Sequence, residues 1–327
     1  MSDGIYQEIE NPQELLDING CIIQEGWARR PLFHFDRKHI SAPAIKTKEW
    51  DRFIISDDGA KWLVIATVNH IGTRMGYSIT YVDFEKRTVF NVRLKNRANE
   101  KNKLSQSSHM DDEHNFSCSE MRTAFIRRGN TRNIMLCAPK FDVNKAEKGI
   151  NARFILNQDQ YAQSFVTAEA LSKNRKNFLL NEICSLIPVS GILRRGNDIE
   201  TIIQDKVHAT IDWGRGRFST KPMFKALFSN GSIGLSMVNR NCCAVSMDGK
   251  IYIIKDISTK LTRNGFTAKS ADGRLNLTLK DGILFQGSSA LQIFGCLQGS
   301  VDLEDEKTVD VSNMPGVTWR ITKQKKS

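Results

Sequence analysis

Apolar residues in this chain recur mostly at every second position and in short runs, the period of strands with one buried face. In the segment 207–213, Val207, Ala209, Ile211 and Trp213 share one parity and His208, Thr210 and Asp212 the other. This predicts a strand that packs on one side and is polar on the other. Residues 62–68 are apolar almost throughout, and Tyr77, Ile79 and Tyr81 share a parity within 75–84. With 88–94 they predict successive antiparallel strands punctuated by 69–73 and 85–87. Further strands are expected over 116–126, 133–137, 152–156, 186–193, 199–203, 232–238, 250–254, 266–269, 275–279 and 318–321. Asp248-Gly249 and Asp272-Gly273 stand between strand-like runs as tight hairpins require, and Arg194-Arg195-Gly196-Asn197 supplies a third turn.

One stretch reads differently. Residues 159–182 set Ala162, Phe165, Val166, Ala168, Ala170 and Leu171 among polar residues and predict a short helical connector. The expected fold class is therefore all-β, with two consecutive antiparallel β-barrels or strongly curved sheets. An N-terminal arm or barrel plug is expected at 1–45, a first barrel at 46–158, the connector at 159–182 and a second barrel at 183–327.

Composition narrows the function classes. A chain of 327 residues, 40% hydrophobic and 25% charged, is a globular protein with room for one large core or two ordinary ones. The N-terminus is acidic, and no apolar run approaches the roughly 20 residues of a membrane span, so a cytoplasmic protein is expected. Seven cysteines without a Cys-x-x-Cys pair read as reduced thiols and imply no structural zinc. The net charge of +11 attracts nucleic acid or anionic membrane, but it is scattered over Arg29-Arg30, 95–103, Arg127-Arg128 and 323–326, which makes such a partner the less favoured reading. His34 and His39, and His109 and His114 around Asp111-Asp112-Glu113, lack a metal-site arrangement and read as polar loop histidines. No metal and no cofactor is expected. Phosphate-loop and dinucleotide fingerprints are absent, which argues against nucleotide hydrolysis and nicotinamide chemistry.

The chemistry-bearing candidates cluster in 208–217. His208 and Asp212 share strand parity four residues apart, as either an acid–base pair or a structural hydrogen-bonded pair. Gly214 and Gly216 predict a sharp corner that presents Arg215 to an acidic partner, with Asp212 as the bidentate target. Trp27 and Arg29 are expected to clamp against the Asp212 region, and Trp213 and Arg217 complete the set as ligand-contacting or clamping residues. Cys242 and Cys243 point to opposite faces of a strand and read as packing.

Five segments, in this order, carry a resemblance: Leu15-Leu16-Asp17 with Asn19-Gly20, Gly26-Trp27-Ala28-Arg29-Arg30-Pro31-Leu32, Lys48-Glu49-Trp50-Asp51, Pro188-Val189-Ser190-Gly191 and Asp212-Trp213-Gly214-Arg215-Gly216. The chain resembles the bacterial family of unknown function numbered 2804 (DUF2804). That resemblance implies distant kinship with the lipocalin-like, or calycin, group that includes carotenoid 1,2-hydratase-like proteins, and hence lipocalin-like barrels with an apolar cavity. The expected function is binding of a hydrophobic or amphiphilic small molecule in that cavity. The alternative is a hydratase or isomerase acting on an apolar substrate, with Asp212 transferring the proton, His208 as its partner and Arg215 as electrostatic organiser. A third reading is basic-surface binding to nucleic acid or anionic membrane.

Overall fold

The computed structural model describes residues 7–40, 46–98, 103–144, 147–218, 223–238, 242–287, 290–303 and 308–321, so the basic cluster at 323–326 lies outside the described residues. Among them the regular elements are strands, apart from a short 3-10 turn at Arg37–His39. The strands form antiparallel sheets of 13 and 11 strands, beside a small parallel pair of Gln13–Glu14 with Phe33–His34. The all-β class with two strongly curved sheets is thus the architecture the chain adopts.

The first sheet runs in the order Thr88–Arg97, Arg74–Asp83, Trp62–Ile71, Thr47–Asp57, Val207–Arg217, Phe178–Arg195, Glu147–Asn157, Thr131–Asn144, Arg122–Arg128 and Asp112–Ser117. It curls until Thr88–Arg97 returns to touch Thr131–Asn144. Phe178–Arg195 joins the two halves of this sheet, pairing with Val207–Arg217 through its first part and with Glu147–Asn157 through its last, and changes face on the way. A bulge between Cys184 and Ile187, with Leu186 at φ 61°, moves the inward positions from Phe178, Leu180 and Glu182 to Ile187, Val189 and Leu193.

In the second sheet the edge strands are Lys250–Ile254 and Ile257–Leu261. Only residues 255 and 256 join them, and so short a link reaches at most about 11 Å. The end of one edge strand therefore lies close to the start of the other, and the sheet curves strongly toward closure. Three apolar clusters follow. Phe53, Val64, Tyr81, Phe154 and Val189 belong to the first interior, and Phe224, Phe266, Leu277 and Val301 to the second. Trp27, Ile65, Phe165 and Ile183 of the first sheet meet Leu227, Cys242, Phe294 and Trp319 of the second along a seam.

Several expectations need correction. The helix expected over 159–182 is absent: Phe165–Ala170 and the start of Phe178–Arg195 are strands. Phe165, Val166, Thr167 and Ala168 are all buried, so a segment covered on both faces hides its period of two and mimics an imperfect amphipathic helix. The boundary between the units consequently falls after Arg217, because Phe178–Arg195 and Val207–Arg217 pair with Glu147–Asn157 and Thr47–Asp57 of the first sheet. The strand expected at 116–126 is a hairpin, Asp112–Ser117 with Arg122–Arg128. The expected arm contributes Gly26–Ala28 to the edge of the first sheet and places Leu15, Ile22 and Phe35 in its core.

No helix among the described residues is long and apolar enough to cross a membrane. All seven cysteines are free, and Cys242 faces the seam while Cys243 faces the second interior. Burial pushes the Cys242 thiol up to about 12.

Candidate functional site

The Val207–Arg217 strand lies in the middle of the first sheet and exposes two chemically different faces. The expected corner at Gly214 and Gly216 is instead straight strand, paired without interruption to Thr47–Asp57. Gly214 is there for close approach: a Cβ would lie 2.2 Å from the Trp50 ring. Parity therefore persists to the end of the strand. Asp212 points to the seam, and Trp213, Arg215 and Arg217 alternate with it toward the other side.

On the seam face, Asp212 is fully buried and its carboxylate accepts four hydrogen bonds. Oδ1 accepts from Trp50 Nε1 at 3.0 Å, Asn181 Nδ2 at 2.8 Å and Lys225 Nζ at 2.7 Å, and Oδ2 accepts from Arg52 at 2.7 Å. Lys225 comes from the second barrel, and the Arg52 guanidinium lies 4.5 Å from the centre of the Trp319 ring, also from the second barrel. Burial alone would raise the Asp212 pKa, but the charges of Lys225 and Arg52 and the bonds from Lys225 and Trp50 outweigh it and hold the carboxyl at about 2. Such a group is a fixed anion near neutral pH that joins the two units.

His208 shares the Asp212 face, as parity predicted, but bonds Asp58 at 2.9 Å. Arg215, expected on Asp212, bonds Asp51 at 2.8 Å and the Trp50 carbonyl at 2.9 Å, because an odd position cannot reach an even one through the sheet. Arg29 pairs with Glu8 at 2.7 Å and reaches the Ile251 carbonyl of the second barrel. Trp27 packs on Phe165 along the seam, with ring centres 6.4 Å apart. Neither bonds Asp212. Arg217 is buried at the strand end, opposite Thr47 and Phe178.

The inward face carries a second set of polar groups at one rim of the first barrel. Glu49, fully buried, receives Arg37 at 2.6 and 2.9 Å and has His70 at 3.6 Å. Burial pushes its pKa up, but the bonds from His70 and Arg37 and the charges of Arg215 and Arg37 prevail and hold it at about 2. The segment 103–111 crosses this rim on polar anchors. Arg215 and Arg132 bond the Ser105 and Ser108 carbonyls, each at 2.9 Å, Asp112 accepts the Ser105 N–H at 2.9 Å, and Ser108 Oγ donates to Glu182.

Beneath the segment remains a cavity of about 30 Å³, room for a water or two. Phe53, Phe125, Ile134, Ile211 and Trp213 form its apolar wall. Ser107, Ser108, Asp112, His114, Arg127 and Arg132 line the remainder. His114 Nε2 lies 2.9 Å from Asp112 Oδ2, and both side chains belong to this lining. Burial raises the Asp112 pKa, yet the bond and charge of His114 leave it lowered overall. A carboxylate that orients an imidazole beside an apolar wall is an arrangement able to move a proton on a bound molecule. Among the described residues no three His, Cys, Asp or Glu side chains converge on a metal site.

Of the candidate site residues named from the sequence, only Trp213 reaches this cavity. His114, read with Asp112 as part of a polar loop, is instead buried on the strand Asp112–Ser117; Arg127 was read only as part of a basic cluster, and Arg132 was missed. Their signal was strand parity: Asp112 and His114 share it with Phe116, and Arg127 and Arg132 share it with Phe125 and Ile134.

Fold and site together define an all-β protein of two strongly curved antiparallel units, with a buried ionic seam between them and a polar, covered rim on the first. Within that class the chain belongs to the family described as "Domain of unknown function (DUF2804)", whose model matches residues 6–323. No curated protein matches it. Solved structures are similar to it at low identity, and those with TM-scores above 0.5 share its fold. CghA with Sch210972 is 9% identical over 84% of this chain and 88% of that one, with a TM-score of 0.54. A putative AttH from Nitrosomonas europaea is 12% identical over 87% and 95%, with a TM-score of 0.51. Kievitone hydratase from Nectria haematococca is 9% identical over 85% and 90%, with a TM-score of 0.47.

Proposed function

We propose that this protein binds an amphiphilic small molecule at the rim of the first barrel and performs acid–base chemistry on it, with His114 as the proton-transferring group and Asp112 as the carboxylate that orients it. The observation that carries the reading is the shared lining: one cavity joins an apolar wall to the His114–Asp112 pair. Asp212 is assigned a structural role, because Lys225, Arg52, Trp50 and Asn181 hold it as a fully buried anion between the two units, away from the rim cavity. The present cavity is far smaller than an ordinary ligand pocket, roughly 300 Å³ or more. Binding therefore requires the segment 103–111 to withdraw, and its polar anchors are of a kind that solvent can replace.

Mild extraction of the purified protein followed by mass spectrometry tests the binding. A compound retained by the unaltered protein and by His208→Gln, and lost from Ser107→Trp, supports the rim as the site. Retention unaffected by Ser107→Trp would remove the ligand from this cavity. Turnover is tested with the retained compound in heavy water. The unaltered protein introduces deuterium or adds one water, and His114→Gln keeps the compound but ends the change. Undiminished turnover in His114→Gln would exclude the proton-transfer role.

A further inference from the structure

Arg127 and Arg132 face each other across the Arg122–Arg128 and Thr131–Asn144 hairpin, both on the inward parity and both lining the rim cavity. Each is more than nine-tenths buried, with relative exposures of 8% and 6%. Two buried guanidinium groups in direct cross-strand register repel one another, whereas the next inward pair, Phe125 and Ile134, is apolar. Among the described residues neither arginine has a carboxylate within ion-pair distance. Arg127 Nε donates to the Gly129 carbonyl at 3.0 Å, and its Nη1 is buried with no partner. Arg132 donates to Gln158 and to the Ser108 carbonyl, both neutral acceptors.

The nearby carboxylates are engaged elsewhere: Asp51 with Arg215, Asp112 with His114, Glu182 with Ser108 and His109, and Asp111 with the Gly129 N–H. Burial and the like charge of Arg132 outweigh the attraction of Glu182, Asp111 and Asp51 and pull the Arg127 pKa down to about 10. Trp213, in the same wall, also has a buried indole N–H without a partner. Unpaired buried donors are costly and mark a place where an acceptor is missing.

We infer that Arg127 and Arg132 form the recognition site for an oxyanion head, carboxylate or phosphate, on the amphiphile bound at this rim. The inference rests on the rim being the ligand site and adds the charge of the ligand's polar end. The head takes the free Arg127 Nη1 donor and replaces the Ser108 carbonyl on Arg132, which removes one of the anchors of the segment 103–111. The apolar tail then lies against Phe53, Phe125 and Ile134.

Calorimetric titration with octanoate, octyl phosphate and octanol tests this on the full-length protein. Octanoate or octyl phosphate is expected to bind at least about tenfold more tightly than octanol, the effect of one or two charge-assisted hydrogen bonds. Whichever anion binds more tightly names the head. Arg127→Gln and Arg132→Gln should each remove most of that advantage and leave octanol affinity within about twofold. Equal affinity of the unaltered protein for all three probes overturns the anionic head while the rim remains a ligand site. Binding of none of them overturns both. The comparison among probes needs no variant, so it decides the matter even where a substitution impairs folding.

Discussion

The two units fold on the same plan and fill their interiors in opposite ways. Inside the second barrel Phe224, Leu235, Val245, Phe266, Leu277 and Val301 leave an interior of apolar packing. Inside the first, the same kind of packing stops short of one rim, where Glu49, Glu182, Arg127, Arg132 and Arg215 are buried together. Burial of charge is costly unless every partner is supplied, and an apolar filling of the same volume is often more stable. The second barrel shows that this chain can build such a filling. The contrast supports the proposed site at the rim of the first barrel and a structural part for the second.

Acid gives the largest expected separation of the two units. Glu49 and Asp212 are held at about 2 against ordinary values of 4.5 and 3.8. A carboxyl with a depressed pKa contributes its full stability above its ordinary value and loses it as pH falls through the folded-state value. Their joint contribution, on the order of 5 kcal/mol by the linkage relation, should be present at pH 7 and disappear between about pH 4.5 and 2. Hydrogen exchange at low pH should show the Thr47–Asp57 and Val207–Arg217 amides losing protection before those of Phe266–Ser270 and Leu275–Leu279. Simultaneous loss in both units would break the contrast.

The interiors can then be compared by substitution. Phe266→Ala, at a fully buried position in the second barrel, should cost about 3–5 kcal/mol in urea unfolding. Arg127→Met in the first should cost nothing and gain about 1 kcal/mol, because it removes an unsatisfied donor and a like-charge neighbour of Arg132. A loss as large as that of Phe266→Ala would mean that Arg127 serves the fold.

Most of the fold was legible because strand parity is a local property. Lys250–Ile254 and Leu275–Leu279 run over the residues their alternation indicated, and the Asp248-Gly249 hairpin follows from its two positive φ angles. Phe165–Ala170 was illegible because burial on both faces erases alternation. The site was harder to read, since its partners are supplied by distant strands. Asp212 could be placed on a face, but Lys225, Arg52 and Asn181, which settle its chemistry, enter through pairings that sequence does not specify. Arg127 looked like part of a basic turn because Arg128 follows it, although alternate burial of Thr123, Phe125 and Arg127 turns one arginine inward and leaves the other exposed.

The smallest expected effect concerns His208, which the sequence placed beside Asp212 and the structure places beside Asp58. Its ring is largely covered, and Gly231 of the second unit is seated on the pair: a Cβ there would lie 2.3 Å from the Asp58 carboxylate and 3.0 Å from the His208 ring. The contact holds one loop against the first sheet at the end of the seam opposite Lys225. His208→Gln retains a donor for Asp58 and should cost less than about 1 kcal/mol, the range of a partly exposed pair, with ligand retention and turnover unchanged. Gly231→Ala forces a side chain into the pair from a backbone at φ 79° and should cost more than the histidine substitution. If His208→Gln instead ended turnover, the seam face would carry chemistry, and the division between a working rim and a structural seam would fail.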